Sequence, residues 1–453
     1  MSGLLVVSSA HKLPLASATF HACVTSPPYY GLREYHGSQV IKWPGLSYLP
    51  QPGALPVEYP EWRGPLGAEP TSEMYIGHMV RVCREIKRVL RIDGTFWLNM
   101  GDSYNGSGGA GGDYGPGGIR EGQPKYPGRS DRNLQAGDLM MVPARLALAL
   151  QASGWILRND DIWSKHPMPE PRKGWRYERP ACPCVTERRE LDIQRQMVEQ
   201  GVDRHRVYDK AGTKFKPDPD CSECHGSGRY GDYDLKEESW RHTRSHEYVF
   251  QLVKKMHYYS DHLRVATETG ANPLDVFAPS RTNYSGKHFA VYPPLLIAPF
   301  IHASVPKQCC SGCGKPWAPV VDVSGKTTGR RKDYQIKETM ERKGFTEDAR
   351  AWPGGDIPTA KSVVIRYDPT CKCSIVNDEQ PRGGPRPPVP GLVLDPFMGS
   401  GTTGLVAREF GVDFVGCDIS FQYLDEQAKV RTNTGQPSGA LNDLPLFNLE
   451  DAT

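Results

Sequence analysis

The chain has 453 residues, 38% of them hydrophobic, and a formal net charge of +3. That is enough apolar material for one large core with insertions or for two domains. The near-neutral balance excludes a generally basic field, so any grip on a polyanion must come from local patches. No apolar run approaches the roughly 20 residues that a bilayer-spanning helix needs. The opening Met1-Ser2-Gly3-Leu4-Leu5 lacks the charged-then-apolar pattern of an export signal, so a cytoplasmic protein with no membrane partner is expected.

Val6–Val7 and Ala22–Thr25 read as short strands, the second running into the turn Ser26-Pro27-Pro28-Tyr29. Residues 44–70 are rich in proline and glycine and are expected to form an extended surface loop. Met79, Val82, Cys83, Ile86, Val89 and Leu90 recur at helical spacing over Met74–Leu90, and Gly94 is expected to separate that helix from a strand over Thr95–Met100. Gly106–Gly118 has too little apolar surface to order itself and reads as a mobile flap. Leu139–Ala152 reads as a helix, while Trp155–Trp163 and Glu247–Val253 read as strands. Residues 289–301 are apolar with three internal prolines. Near the end, Leu392–Asp395, Thr402–Phe410 and Phe414–Asp418 make a strand–helix–strand unit of a parallel sheet, followed by a polar, loosely held tail after Thr432.

Two stretches carry chemistry. The turn Asp395-Pro396-Phe397-Met398-Gly399-Ser400-Gly401-Thr402 lies between a strand and a helix, where glycines let backbone approach a ligand. Asp418, closing the next strand, stands where an acid can accept hydrogen bonds from ribose hydroxyls. A dinucleotide fingerprint also fits, since Gly404 follows Gly399 and Gly401, but the preceding Asp395-Pro396-Phe397-Met398 suits S-adenosylmethionine better than a pyrophosphate.

Ser26-Pro27-Pro28-Tyr29 suits a planar amine. The exocyclic amine of a base is a poor nucleophile because its lone pair is delocalised into the ring. Acceptors that hold both amino hydrogens, here Ser26 Oγ and the Pro27 carbonyl, rotate the lone pair out of conjugation and take up developing positive charge. Tyr29 offers a face for the base to stack on, and the base must leave its duplex to reach it. No Pro-Cys nucleophile stands beside these residues, which argues against attack through a ring carbon.

At this point the chain resembles an amino-group DNA methyltransferase of the permuted β arrangement, in which the catalytic motif precedes the cofactor motif. The likeness extends along Thr25–Tyr35, Leu98–Tyr104, Leu139–Lys165, Arg244–Phe250, Tyr258–Asp261, His288–Leu296 and Asp395–Asp418. It implies an α/β fold: a Rossmann-like mixed sheet with helices on both faces, circularly permuted and interrupted by two cysteine-rich insertions. It implies Ser26, Pro27, Pro28 and Tyr29 as catalytic residues. Asp395, Phe397, Gly399, Ser400, Gly401, Thr402 and Asp418 would bind S-adenosylmethionine, with Phe289 and Pro293 toward its methionine end. Arg33, just after the tetrapeptide, becomes a candidate for contact with double-stranded DNA. Similar enzymes often dimerise or work beside a cognate restriction endonuclease; the resemblance admits a homodimer and such a partner without requiring either. Serine at the head of the tetrapeptide resembles cytosine-N4 enzymes more than adenine-N6 enzymes. One departure stands out: where family members often carry Gly-Asp after the first strand, this chain reads Val7-Ser8-Ser9-Ala10. Two other readings stay open, the same machinery acting on adenine N6 and a non-catalytic zinc-containing DNA-binding protein on a decayed methyltransferase fold.

Most of the twelve cysteines are clustered. Close-spaced pairs in a reducing compartment point to metal rather than disulfides. Cys182 and Cys184 with Cys221 and Cys224 could form one four-thiolate zinc site, and Cys309 or Cys310 with Cys313, Cys371 and Cys373 a second. Arg176 and Arg179, among other basic residues and Trp175 and Tyr177, are candidates for phosphate contact beside the first. The expected division is 1–171 for the catalytic half, 172–240 for the first insertion, 241–308 for the continuing core, 309–390 for the second insertion and 391–453 for the cofactor-binding unit.

Overall fold

The computed structural model describes residues 3–31, 39–106, 131–165, 174–184, 219–265, 272–279, 292–322, 363–377 and 380–432. Arg33, Phe289, most of the glycine-rich flap and the tail after Thr432 lie outside the described residues. The chain divides into two compact units. The first comprises Met1–Ser103, Leu139–Lys165 and His246–Thr453, and the second Tyr104–Asp138 and His166–Ser245. The described part of the first cysteine-bearing insertion thus lies in the second unit, and that of the second insertion in the first unit.

The first unit is built on one eight-stranded sheet. Its strands in chain order are β1 (Gly3–Val7), β2 (Phe20–Thr25), β3 (Leu90–Met100), β4 (Ile156–Ser164), β5 (His246–Val253), β6 (Val276–Phe277), β7 (Leu392–Asp395) and β8 (Asp413–Asp418). In space they run β1-β8-β7-β2-β3-β5-β4-β6. Pairings from β1 through β3 are parallel, whereas β5 is antiparallel to both β3 and β4. Strands β2, β7 and β8 are buried along their whole length, as central strands of a sheet covered on both faces are.

Helices α1 (Ser72–Val89), α2 (Val142–Ala152), α3 (Pro294–Ser304) and α4 (Thr402–Phe410) cover that sheet. Leu296, Ile297, Phe300 and Ile301 of α3 join Val406, Ala407 and Phe410 of α4 in one apolar cluster with Ala22, Val24, Trp97 and Val393 of the sheet. Neighbouring residues of alternate parity serve the other face, where Phe96 meets Trp155 and Cys23 lies near Cys83 of α1. Thr71 caps α1 by accepting from the Met74 amide, with Glu73 in the first turn and Lys87 and Arg88 in the last, matching the helix dipole. Both ends of α4 are set by glycine, Gly401 and Gly411 each having φ of 84°.

Two expectations need correction. Gly94 does not end anything: β3 runs through it from Leu90. A Cβ there would sit 2.8 Å from the His21 carbonyl, so glycine is needed because the β2 backbone comes so close. Residues 44–70 are not a plain loop either. Ile41–Trp43 pairs with Trp62–Gly64, and Leu46–Tyr48 with Val57–Tyr59. Trp43 is buried and stacks on His78, which is itself bonded to the buried Glu69 at 2.9 Å. No described helix is long and apolar enough to cross a membrane.

Candidate active site

Strands β2 and β7 are parallel neighbours, so the loops after them leave the sheet from the same edge. One loop is Ser26-Pro27-Pro28-Tyr29 and the other begins at Asp395. Thr25 Oγ1 donates to Asp395 Oδ1 at 2.6 Å, a buried bond between residues 370 apart in sequence. The tetrapeptide and the glycine turn are therefore adjacent.

Asp395 organises the turn. Its Oδ1 also receives the Phe397 amide at 3.1 Å, and its Oδ2 receives Thr403 Oγ1 at 2.6 Å and the Tyr292 hydroxyl at 3.0 Å. Burial pushes its carboxyl above the usual range, with these donors pulling it back. Asp418, likewise pushed up to about 6 by burial, receives the Gly399 amide on Oδ2 at 2.9 Å and the Ser420 amide on Oδ1 at 2.8 Å. It clamps the turn it was expected to complement. Gly399 and Gly401 both have positive φ, which only glycine takes up without strain. Arg431 donates to Ser400 Oγ at 3.1 Å and Thr402 Oγ1 at 2.7 Å. Pro293 caps α3, next to the Tyr292 that reaches Asp395. A turn without side chains at two positions and braced by two carboxylates fits close backbone approach to a nucleoside-bearing cofactor.

On the tetrapeptide side, Tyr29 donates its hydroxyl to Glu247 Oε2 at 2.8 Å and lies 3.1 Å from Ser26 Oγ. Asn99 Nδ2 approaches all three: Tyr29 at 2.7 Å, Glu247 Oε2 at 2.9 Å and Ser26 at 3.3 Å. Lys165 pairs with the other Glu247 oxygen. Asn99 Oδ1 is a buried acceptor without a donor among the described residues. Tyr75 takes the Pro28 carbonyl at 2.8 Å, while the buried Pro27 has no such partner among them. A Cβ on Gly101 would come within 2.6 Å of the Tyr29 ring, so glycine there lets the ring lie flat against β3's end. Asp102 accepts from the Ser103 and Val142 amides at 3.0 and 3.1 Å and so holds the start of α2.

Glu247, Asn99, Lys165, Tyr292 and Thr403 were not singled out as site residues. Glu247 leaves one sequence signal, an acid near the head of a mostly apolar strand; the others have none outside the family likeness.

The cysteines gather as two groups of four, each with its sulfurs within 4.8 Å of one another. The first is Cys182, Cys184, Cys221 and Cys224 in the second unit, where Cys182–Cys221 and Cys184–Cys224 sulfurs are both 3.6 Å apart. Tetrahedral Zn–S bonds of about 2.3 Å would separate sulfurs by about 3.8 Å. The second is Cys310, Cys313, Cys371 and Cys373. Cys310, not Cys309, belongs to it: adjacent strand residues point to opposite sides, and the buried Cys309 thiol turns to the carbonyls of Val389 and Pro390. Arg176 is engaged by Glu178 at 3.0 Å and Glu238 at 2.8 Å, so carboxylates already offset its charge. Arg179 lies over the Tyr233 ring at 5.0 Å.

A DNA methylase family model for N6- and N4-acting enzymes matches residues 20–309 and 388–429. The chain belongs to the N6/N4 DNA methylase family. It is thus an S-adenosylmethionine-dependent DNA methyltransferase of the amino-methylating kind. The methylase is 28% identical over 302 residues to the type II methyltransferase M.XycI of Xanthomonas campestris pv. cyanopsidis, spanning 64% of this chain and 68% of that one. It is 29% identical over 294 residues to M.SmaI of Serratia marcescens, spanning 62% and 66%. It is 25% identical over 443 residues to M.SfiI of Streptomyces fimbriatus, spanning 92% and 86%. A solved PvuII DNA methyltransferase (cytosine-N4-specific) aligns with 98% of the methylase and 90% of its own chain, at 12% identity and a TM-score of 0.43.

Proposed function

We propose that the methylase transfers a methyl group from S-adenosylmethionine to N4 of a cytosine flipped out of double-stranded DNA. The observation that carries this reading is the Thr25–Asp395 bond, which brings the acceptor-bearing turn against the cofactor turn. When bound, the cofactor supplies an electrophilic methyl on its sulfonium. Ser26 Oγ and the Pro27 carbonyl accept from the target amine, and Tyr29, braced by Asn99 and Glu247, stacks on the base. Ser26 at the head of the tetrapeptide favours cytosine over adenine. Digestion of methylated DNA to nucleosides and mass spectrometry is expected to yield N4-methylcytosine; N6-methyladenine as the sole product would overturn the choice of base. The type II names of its relatives support a restriction–modification role beside a cognate endonuclease.

The second unit is read as the target-reading module, folded around zinc held by Cys182, Cys184, Cys221 and Cys224. Its residues Trp175, Tyr177, Tyr233 and Trp240 are all more than 60% exposed, an unusual display of rings that suits contact with unstacked bases. Among its arginines, Arg176 serves the fold through its glutamates, and Arg179 is the better phosphate contact. Arg179→Ala is expected to reduce the salt slope of DNA binding by about one. An unchanged slope in a binding titration across salt concentrations removes it from the interface.

A further inference from the structure

The pairing that joins the two halves of the active site is short. Strands β2 and β7 share only two registered pairs, Val393 with Ala22 and Leu394 with Cys23. At the upper end the Thr25–Asp395 bond closes this ladder. At the lower end His21 closes it: its Nδ1 accepts from the Leu392 amide at 3.1 Å. His21 Nε2 must then carry the proton, and it donates to the Gly314 carbonyl at 2.8 Å. Gly314 directly follows Cys313, in the turn of the second cysteine group.

That turn is fastened at further points. Arg91, at the start of β3, donates to the Cys313 carbonyl at 2.9 Å, with its guanidinium held in place by Asp93 at 2.9 and 3.1 Å. Gly314 has φ of 65°, and a Cβ there would meet the Arg91 guanidinium at 2.6 Å. Cys309 and Cys310 pair with Val389 and Pro388, three residues before β7 begins. Gly391 donates to the Pro306 carbonyl at 2.9 Å. Residues 318–322 pair with 363–368 and return the chain to Cys371 and Cys373. The lower ends of three strands therefore rest on a turn that is built from few apolar residues and holds four sulfurs within 4.8 Å.

We propose that Cys310, Cys313, Cys371 and Cys373 hold a structural zinc ion, and that this ion, through His21, fixes the β2–β7 register on which the opposite, cofactor-binding end of the ladder depends. Four thiolates close the tetrahedron and leave no open position, so the ion does no chemistry on substrate. Without it only those few ties remain to order the turn, and small loop-rich segments of this kind take much of their folding free energy from the metal. His21 then loses its lower partner, and the two-pair ladder is left clasped at one end.

The inference concerns how the sheet is held and is independent of which base is methylated. Metal analysis of the purified full-length chain tests its first half: Cys371→Ser is expected to remove one zinc equivalent per chain relative to wild type, and an unchanged content overturns the site. Should that variant not fold, cobalt incorporated in place of zinc in Cys182→Ser, which disables the other group, reads this one. Thiolate-to-cobalt absorption for one tetrathiolate centre is expected in that variant, and its absence overturns the site. Calorimetry tests the second half: His21→Phe keeps the buried ring and deletes both bonds. It is expected to retain zinc while weakening S-adenosylmethionine binding roughly tenfold, within the usual range of coupling between sites. Wild-type cofactor affinity in that variant overturns the clasp.

Discussion

Tyr29→Ala is expected to lower turnover on a duplex oligonucleotide by about 100-fold, from lost stacking and lost electrostatic preorganisation together. Stacking of a base on an aromatic ring contributes ~1–3 kcal/mol, about 5- to 150-fold. Removing the hydroxyl also takes one partner each from the Glu247 carboxylate, the Asn99 amide and Ser26 Oγ. Tyr29→Phe keeps the ring and should lose the smaller part. Cofactor affinity, measured by calorimetry, should persist in both, because the Tyr29 hydroxyl is engaged by Glu247, Asn99 and Ser26 on the tetrapeptide side. Full activity in Tyr29→Ala would discredit the stacking role. A parallel collapse of cofactor binding would recast Tyr29 as a support of the fold.

Asp395→Asn probes the opposite side of the junction and is expected to be the most damaging conservative change. Each carboxylate oxygen serves two donors: Thr25 and the Phe397 amide on Oδ1, Thr403 and Tyr292 on Oδ2. Whichever way the asparagine turns, its NH2 faces two hydrogen-bond donors. Each buried group left unsatisfied costs about 1–3 kcal/mol, and with some relief from hydroxyl rotation the total should reach about 2–4 kcal/mol. Denaturant midpoints should fall accordingly, and cofactor binding should weaken by about 100-fold or more, as expected when a buried network is broken. Burial pushes this carboxyl toward its neutral form, so the variant also reports its charge state. An Asn variant with wild-type stability and affinity would mean that the carboxyl is held protonated, and the account of four donors around an anion would fail.

Much of the framework was legible in the sequence because local rules and global fold agree there. The helix Thr402–Phe410 matches its expectation at both ends, since glycines at 401 and 411 mark both boundaries by their conformation alone. Leu392–Asp395 and the antiparallel strand around Glu247–Val253 were readable as apolar runs with clear limits. The hairpins within 41–64 were not, because prolines and glycines masked a three-residue alternation. Ile41-Lys42-Trp43, Leu46-Ser47-Tyr48 and Val57-Glu58-Tyr59 each place a polar residue between two apolar ones. The Asn99–Glu247–Lys165 assembly was illegible for a different reason. Asn99 and Glu247 sit on two strands, and Lys165 just past the end of a third, that are neighbours only in the folded sheet, and nothing in their local sequence announces the meeting.

The placement of β2 also has a consequence for biosynthesis. This strand is made some 370 residues before its neighbour β7, and β1 some 410 residues before its partner β8. At elongation rates of about 5–20 residues per second, these strands wait roughly 20 to 80 seconds for those neighbours. Through that interval one flank of β2 stays without its ladder, a template for wrong pairing and a target for chaperones. Methylation by this polypeptide therefore begins only after Asp418 has been synthesised, and a chain cut short before it is expected to yield no activity.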